Sequence, residues 1–160
     1  MAINGEPNRV PQFRQKLEES LADPEPMCLA MVRVETTAFG GDNHGPSDVS
    51  ESDVDQLMAA VQARLSHVLR RYDLMARVEK DTFMLVVKTL ADTRVLDARM
   101  YQLYGALSEP YSVGGKTVSV PVTLGAAVRL PAESAASLMK RTDKALATAG
   151  AAGGKAPVLI

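Results

Sequence analysis

Arg70 and Asp73 stand three residues apart near the middle of the chain, a forked hydrogen-bond donor followed by an acceptor. A guanidinium can grip a phosphate through two parallel bonds, and a carboxylate can accept from the N–H groups of a ligand. The same spacing at a helix end also makes a local ion pair worth roughly 0.2–0.5 kcal/mol, or eases the chain into a strand. A little further on, Glu79, Lys80 and Asp81 crowd three charges into the link between two β-rich runs. His44 and His67 are far apart and lack companions at zinc-ligand spacing, so no zinc site is expected. Cys28 opens a short apolar run, where a buried core role is expected rather than nucleophilic chemistry.

These residues need a scaffold, and the apolar pattern supplies one. Phe13, Leu17 and Leu21 repeat every four residues and predict a short amphipathic helix, ended by Asp23-Pro24-Glu25-Pro26. Cys28 to Val34 reads as a buried strand, and Phe39 to Ser52 as a long loop. Ser52 or Asp53 stands where the next helix needs its cap, and Val54, Leu57, Met58, Val61, Leu65, Val68 and Leu69 form its apolar stripe. Leu74–Val78 and Phe83–Val87 predict a hairpin. A third helix is expected over about Asp92–Leu107. A second hairpin follows, turning at Gly114-Gly115, with one long arm over Thr117–Val128. A last helix near Ser134–Ala149 leads to a closing strand, Pro157–Ile160. The order is α-β-α-β-β-α-β-β-α-β, an α+β layout with helices against a central, mostly antiparallel sheet.

Composition narrows the class. The 160 residues suit one domain, and 46% hydrophobic with 23% charged residues is ordinary for a globular protein. A net charge of -1 gives no basic excess for nucleic acid or an anionic membrane. The single cysteine excludes an intramolecular disulfide and fits a reducing compartment. With no apolar run of transmembrane length and no leader-like start, a cytoplasmic domain without membrane contact is expected.

In that order of elements the chain resembles the GGDEF, or diguanylate cyclase, family at five separated places. Asn4-Gly5-Glu6-Pro7-Asn8-Arg9 is similar to the family's opening T-G-L-P-N-R. Leu29 to Glu35 lies where the family has a strand ending in a metal-binding aspartate. Arg70 to Val78 resembles the run into the signature hairpin, and Phe83 is the phenylalanine that closes the signature. Val118 to Val128 resembles the V-S-x-S-I-G-I-A strand, and Leu138 to Leu146 the L-L-x-x-A-D-x-A-L-Y helix. Gly40-Gly41-Asp42 mimics the family name but lies in the first loop. The corresponding signature is Glu79-Lys80-Asp81-Thr82-Phe83. The resemblance implies a nucleotidyl-cyclase-like palm with a ferredoxin-like βαββαβ core over residues 1–160, a single domain excised from a longer signalling protein.

The same resemblance implies that catalysis is lost. The family's glycine pair lets the hairpin backbone approach GTP, whereas here two long charged side chains, Glu79 and Lys80, take its place. The fourth signature position, a glutamate in active members, is Thr82. Asp81 is kept, and Glu35 replaces the strand aspartate; the two could share a Mg²⁺ weakly, with no cofactor required. The family's phosphate-binding lysine and arginine fall on Gly150 and Gly154, leaving Lys155 as the nearby cation. Asn43 and Asp55 (or Asp53) fall near the family's guanine-reading positions. Arg70-x-x-Asp73 is in register with the family's inhibitory cyclic di-GMP site, with Arg99 as the second arginine. The implied function is a catalytically inactive regulatory or receptor module in cyclic di-GMP signalling. Its expected associates are an EAL-type or sensor domain, a protein partner or a second copy. A nucleotide-independent interaction scaffold is the alternative, and a residual cyclase the weakest.

Overall fold

The computed structural model describes Ala2–Ile3 and residues 10–36, 51–89 and 92–160. The elements in chain order are β1 (Ala2–Ile3), α1 (Val10–Leu21), β2 (Met27–Val34), α2 (Glu51–Val68), β3 (Leu74–Glu79) and β4 (Thr82–Lys88). They continue with α3 (Arg94–Leu107), β5 (Tyr111–Val113), β6 (Lys116–Val118), β7 (Val122–Val128), α4 (Ala135–Ala151) and β8 (Val158–Leu159). The main sheet runs β1-β3-β4-β2-β7-β8. Its three inner pairings are antiparallel, and both outer ones, β1 on β3 and β8 on β7, are parallel. The expected α+β palm is the fold observed.

Strand β2 lies between β4 and β7, and of its residues only Arg33 is exposed. Such a strand reads as an unbroken apolar run because helices cover both of its faces. On one face Val54, Leu57, Met58, Val61 and Leu65 of α2 join Leu96, Met100, Leu103 and Leu107 of α3 over Cys28, Ala30, Val32 and Phe83. On the other, Phe13 and Leu17 of α1 and Leu138 of α4 pack on Leu29, Met84 and Val86. The sheet positions whatever the hairpin between β3 and β4 carries.

Three sequence expectations need correction. The edge strand β1 was not expected, since two residues pairing with a strand some 70 positions away leave no local signature. Ser52 and Asp53 do not cap α2, because the helix already begins at Glu51. The long arm of the second hairpin is broken at Ser119–Pro121: β5 and β6 form their own two-stranded sheet, turning at Gly114 and Gly115 with φ of 59° and 79°. Proline cannot donate to a ladder, so Pro121 marks the break before β7. Most of the expected first loop, including Gly40-Gly41-Asp42 and His44, lies outside the described residues, as does the Asn4–Arg9 motif.

Gly125 sets how closely α4 can lie on β7. A Cβ there would stand 2.2 Å from the Leu146 nitrogen and 2.6 Å from the Ala145 carbonyl carbon, and backbone cannot swing aside. Gly125→Ala is expected to destabilise the fold by about 3 kcal/mol, read from the urea midpoint. Gly150, on the open side of α4, has nothing within 4 Å of such a Cβ; Gly150→Ala is expected to stabilise by about 0.5–1 kcal/mol through helix propensity.

Candidate functional site

The signature hairpin turns tightly. β3 ends at Glu79 and β4 starts at Thr82, which leaves Lys80 and Asp81 as the turn. The ladder slips between Arg77 and Glu79, so the incoming strand bends there. Glu79 and Lys80 are exposed, Asp81 is half-buried and Thr82 is buried. The tip satisfies its own polar groups. The Arg77 guanidinium donates to the Lys80 carbonyl from Nη2 at 2.7 Å and from Nε at 3.3 Å. The Val34 amide at the end of β2 donates to the Asp81 carbonyl at 2.8 Å. The Thr82 hydroxyl donates to Asp81 Oδ1 at 2.9 Å.

Glu35 follows β2, is exposed, and its amide donates to the Pro121 carbonyl at 2.9 Å. Asp55 lies on α2, and its Oδ1 accepts from Arg77 Nη2 at 3.0 Å. Asn43 lies outside the described residues. Among the described residues, no group of three His, Cys, Asp or Glu side chains is placed to hold a metal ion. Glu35 and Asp81 are the two carboxylates that would hold a Mg²⁺, which ordinarily takes one or two such groups together with ligand phosphates.

Gly150 and Gly154 stand where the resemblance puts the family's two phosphate-binding cations. Gly150 is exposed on α4. Gly154 sits in the turn after it with φ of 67°, its amide donating to the Ala149 carbonyl at 2.9 Å and its carbonyl accepting from the Tyr104 hydroxyl at 2.6 Å. A Cβ at Gly154 would stand 3.1 Å from Thr123 Oγ1, and the left-handed backbone disfavours any L side chain. Lys155 is exposed just beyond.

Arg70, Asp73 and Arg99 are brought together, though not as three side chains facing a ligand. Asp73 is 2% exposed and Arg99 4%. Arg99 donates to both carboxylate oxygens, from Nη2 to Oδ2 at 2.6 Å and from Nη1 to Oδ1 at 3.3 Å, and Nη1 also donates to the Lys88 carbonyl at 3.1 Å. The Arg70 amide donates to Asp73 Oδ2 at 2.8 Å and the Lys88 amide to Oδ1 at 3.0 Å. One carboxylate thus ties the end of α2, the end of β4 and the middle of α3. The Arg70 guanidinium is left outside in solvent, donating to the Tyr72 hydroxyl at 3.1 Å. That bond holds the Arg70 pKa above the ordinary arginine value. Sequence reasoning missed Arg77 and the Lys88 amide. An arginine two residues before the signature was in plain view, but its partner Asp55 lies 22 residues away, and no local pattern links them.

Cys28 lies in the field of this pair. Burial pushes its thiol up to about 12, while the opposed charges of Arg99 and Asp73 pull in opposite directions.

With this geometry in place, the comparisons with known proteins identify the family. The model of the family described as diguanylate cyclase, GGDEF domain, matches residues 8–156. The chain belongs to the GGDEF domain family. It is 29% identical over 159 residues to the uncharacterized protein y4lL of Sinorhizobium fredii, a match spanning 96% of this chain and 18% of that protein's length. The crystal structure of the GGDEF domain of YfiN (TpbB) from Pseudomonas aeruginosa superposes with a TM-score of 0.81 at 22% identity, covering 96% of this chain and 95% of the other. The GGDEF domain of DgcB from Caulobacter crescentus, solved in complex with c-di-GMP, superposes with a TM-score of 0.77 at 20% identity, covering 92% and 85%. No helix among the described residues is long and apolar enough to cross a membrane.

The buried pair and the buried thiol each lead to a prediction. Arg99→Met strands a buried carboxylate and is expected to cost about 3–5 kcal/mol, whereas the double change Arg99→Met, Asp73→Leu should cost clearly less than the sum of the singles in urea titrations. The raised thiol pKa favours the fold fully below the unfolded value of 9.0, and the gain is lost as pH climbs towards about 12. At pH 8, Cys28 is therefore expected to react with a thiol reagent only as fast as the protein opens, and at once in denaturant.

Proposed function

We propose that this chain is a catalytically inactive GGDEF domain that works in cyclic di-GMP signalling as a regulatory or receptor module. The observation that carries the reading is the hairpin tip. Glu79 and Lys80 stand where the resemblance puts a glycine pair, and Thr82 stands where it puts a glutamate. The tip's carbonyls and the Asp81 carboxylate already have partners within the fold. Joining two GTP molecules needs an activated hydroxyl, a neutralised triphosphate and in-line geometry. Two glycines where phosphate cations are expected supply none of that charge. Glu35 and Asp81 are the vestige of the metal site, Asn43 and Asp55 that of the base site, and the proposed function requires no cofactor.

In the receptor form, cyclic di-GMP is held at Arg70-x-x-Asp73. Arg70 touches the ligand, while Asp73 and Arg99 hold the Arg70 backbone in place from behind. DgcB bound to c-di-GMP lends support as a relative of the same fold. The module sits in the cytoplasm beside an EAL-type or sensor domain, or against a protein partner or a second copy. The alternative, a nucleotide-independent interaction or dimerisation scaffold, is favoured by one observation: the Asp73 carboxylate is occupied and nearly inaccessible.

Calorimetry with cyclic di-GMP separates the two. The receptor form predicts binding that weakens at least about tenfold in Arg70→Ala, the worth of a lost charge-assisted bond. An absence of binding up to high micromolar ligand contradicts the receptor form and leaves the scaffold, whereas binding indifferent to Arg70→Ala contradicts both the Arg70 site and the nucleotide-independent scaffold.

A further inference from the structure

The Arg77 side chain touches both the hairpin tip and helix α2. Its guanidinium donates twice to the Lys80 carbonyl and once to Asp55 Oδ1. The arginine side chain is 11% exposed, while that of Asp55 is 62% exposed. The ladder irregularity between Arg77 and Glu79 places this grip where the strand is already bent and locally weakest. Among the described residues, the tip is also attached by the bond from the Val34 amide to the Asp81 carbonyl, on the β2 side. The tip is therefore held from two directions, by a backbone bond to β2 and by a side-chain strap to α2.

We propose that Arg77 is a strap that keeps the signature hairpin docked against α2, and that movement of the hairpin tip away from α2 is limited by release of this strap. A ligand or partner at the Asp55 carboxylate or the Lys80 carbonyl meets acceptors that Arg77 already engages, and must share or displace those bonds. The strap is a device of this chain's own residues, and it operates whether or not the domain binds a nucleotide.

Amide hydrogen exchange on the whole chain tests it, with the Val34 amide as reporter because its acceptor is the hairpin tip. Asp55→Ala removes the half of the grip that lies on α2 and is mostly solvent-exposed, so folding is preserved; exchange at Val34 is expected to quicken about threefold. Arg77→Met removes both halves and is expected to quicken it tenfold or more. Glu18→Ala, which breaks the exposed Arg14–Glu18 pair on α1, should leave Val34 unchanged. Unchanged Val34 exchange in Asp55→Ala, or acceleration equal to that in Glu18→Ala, overturns the strap. If Arg77→Met fails to fold, the Asp55→Ala result decides the matter alone.

Discussion

The polar centre of this fold is the buried ion pair between Asp73 and Arg99. Two ions removed from water lose several kcal/mol of hydration each, and that loss is tolerable only when every lone pair and N–H finds a partner. Here the carboxylate accepts from two backbone amides and a guanidinium, and the guanidinium reaches a backbone carbonyl as well. The arrangement fixes α3 against the ends of β3 and β4 that lie opposite the hairpin turn. It also changes the meaning of the Arg-x-x-Asp pattern. The acid that sequence register assigns to a ligand is spent on the fold, and the arginine alone faces solvent.

The same device recurs elsewhere. With 4% aromatic residues and no tryptophan, the chain has few large rigid side chains to lock elements together. Arginines carry part of that work. Arg64 donates to the Ala106 carbonyl in the last turn of α3 and to the Pro110 carbonyl beyond it, its guanidinium 3.7 Å from the Tyr111 ring centroid. Arg129 donates to the carbonyls of Leu21, Asp23 and Glu25, groups left over where α1 ends. Arg141 bridges the Val128 carbonyl and Glu133. Each is a planar fork with several fixed donors, suited to gathering loose carbonyls in a way that lysine is not.

How much of this the sequence disclosed depended on the range of each interaction. The apolar stripe Val54-Leu57-Met58-Val61-Leu65 foretold α2 and its buried face, since helical periodicity is local. The β3–β4 hairpin was legible for the same reason, and the residues at its tip could be read directly. The Arg70–Asp73 spacing was visible, but its role rests on Arg99, 26 residues further on, and spacing does not say whether an acid faces inward. The Arg129 grip spans more than 100 residues, and β1 pairs with a remote strand; both arise only once the sheet has assembled. The break at Pro121 could have been found from the proline alone.

Whether the altered hairpin is compatible with catalysis is the point on which the functional account turns. The direct measurement is incubation of the purified chain with GTP and Mg²⁺, with the products resolved by chromatography. The account predicts no cyclic di-GMP above the level of a protein-free control, even at high protein concentration. Product that grows in proportion to protein and disappears in Asp81→Asn would contradict it.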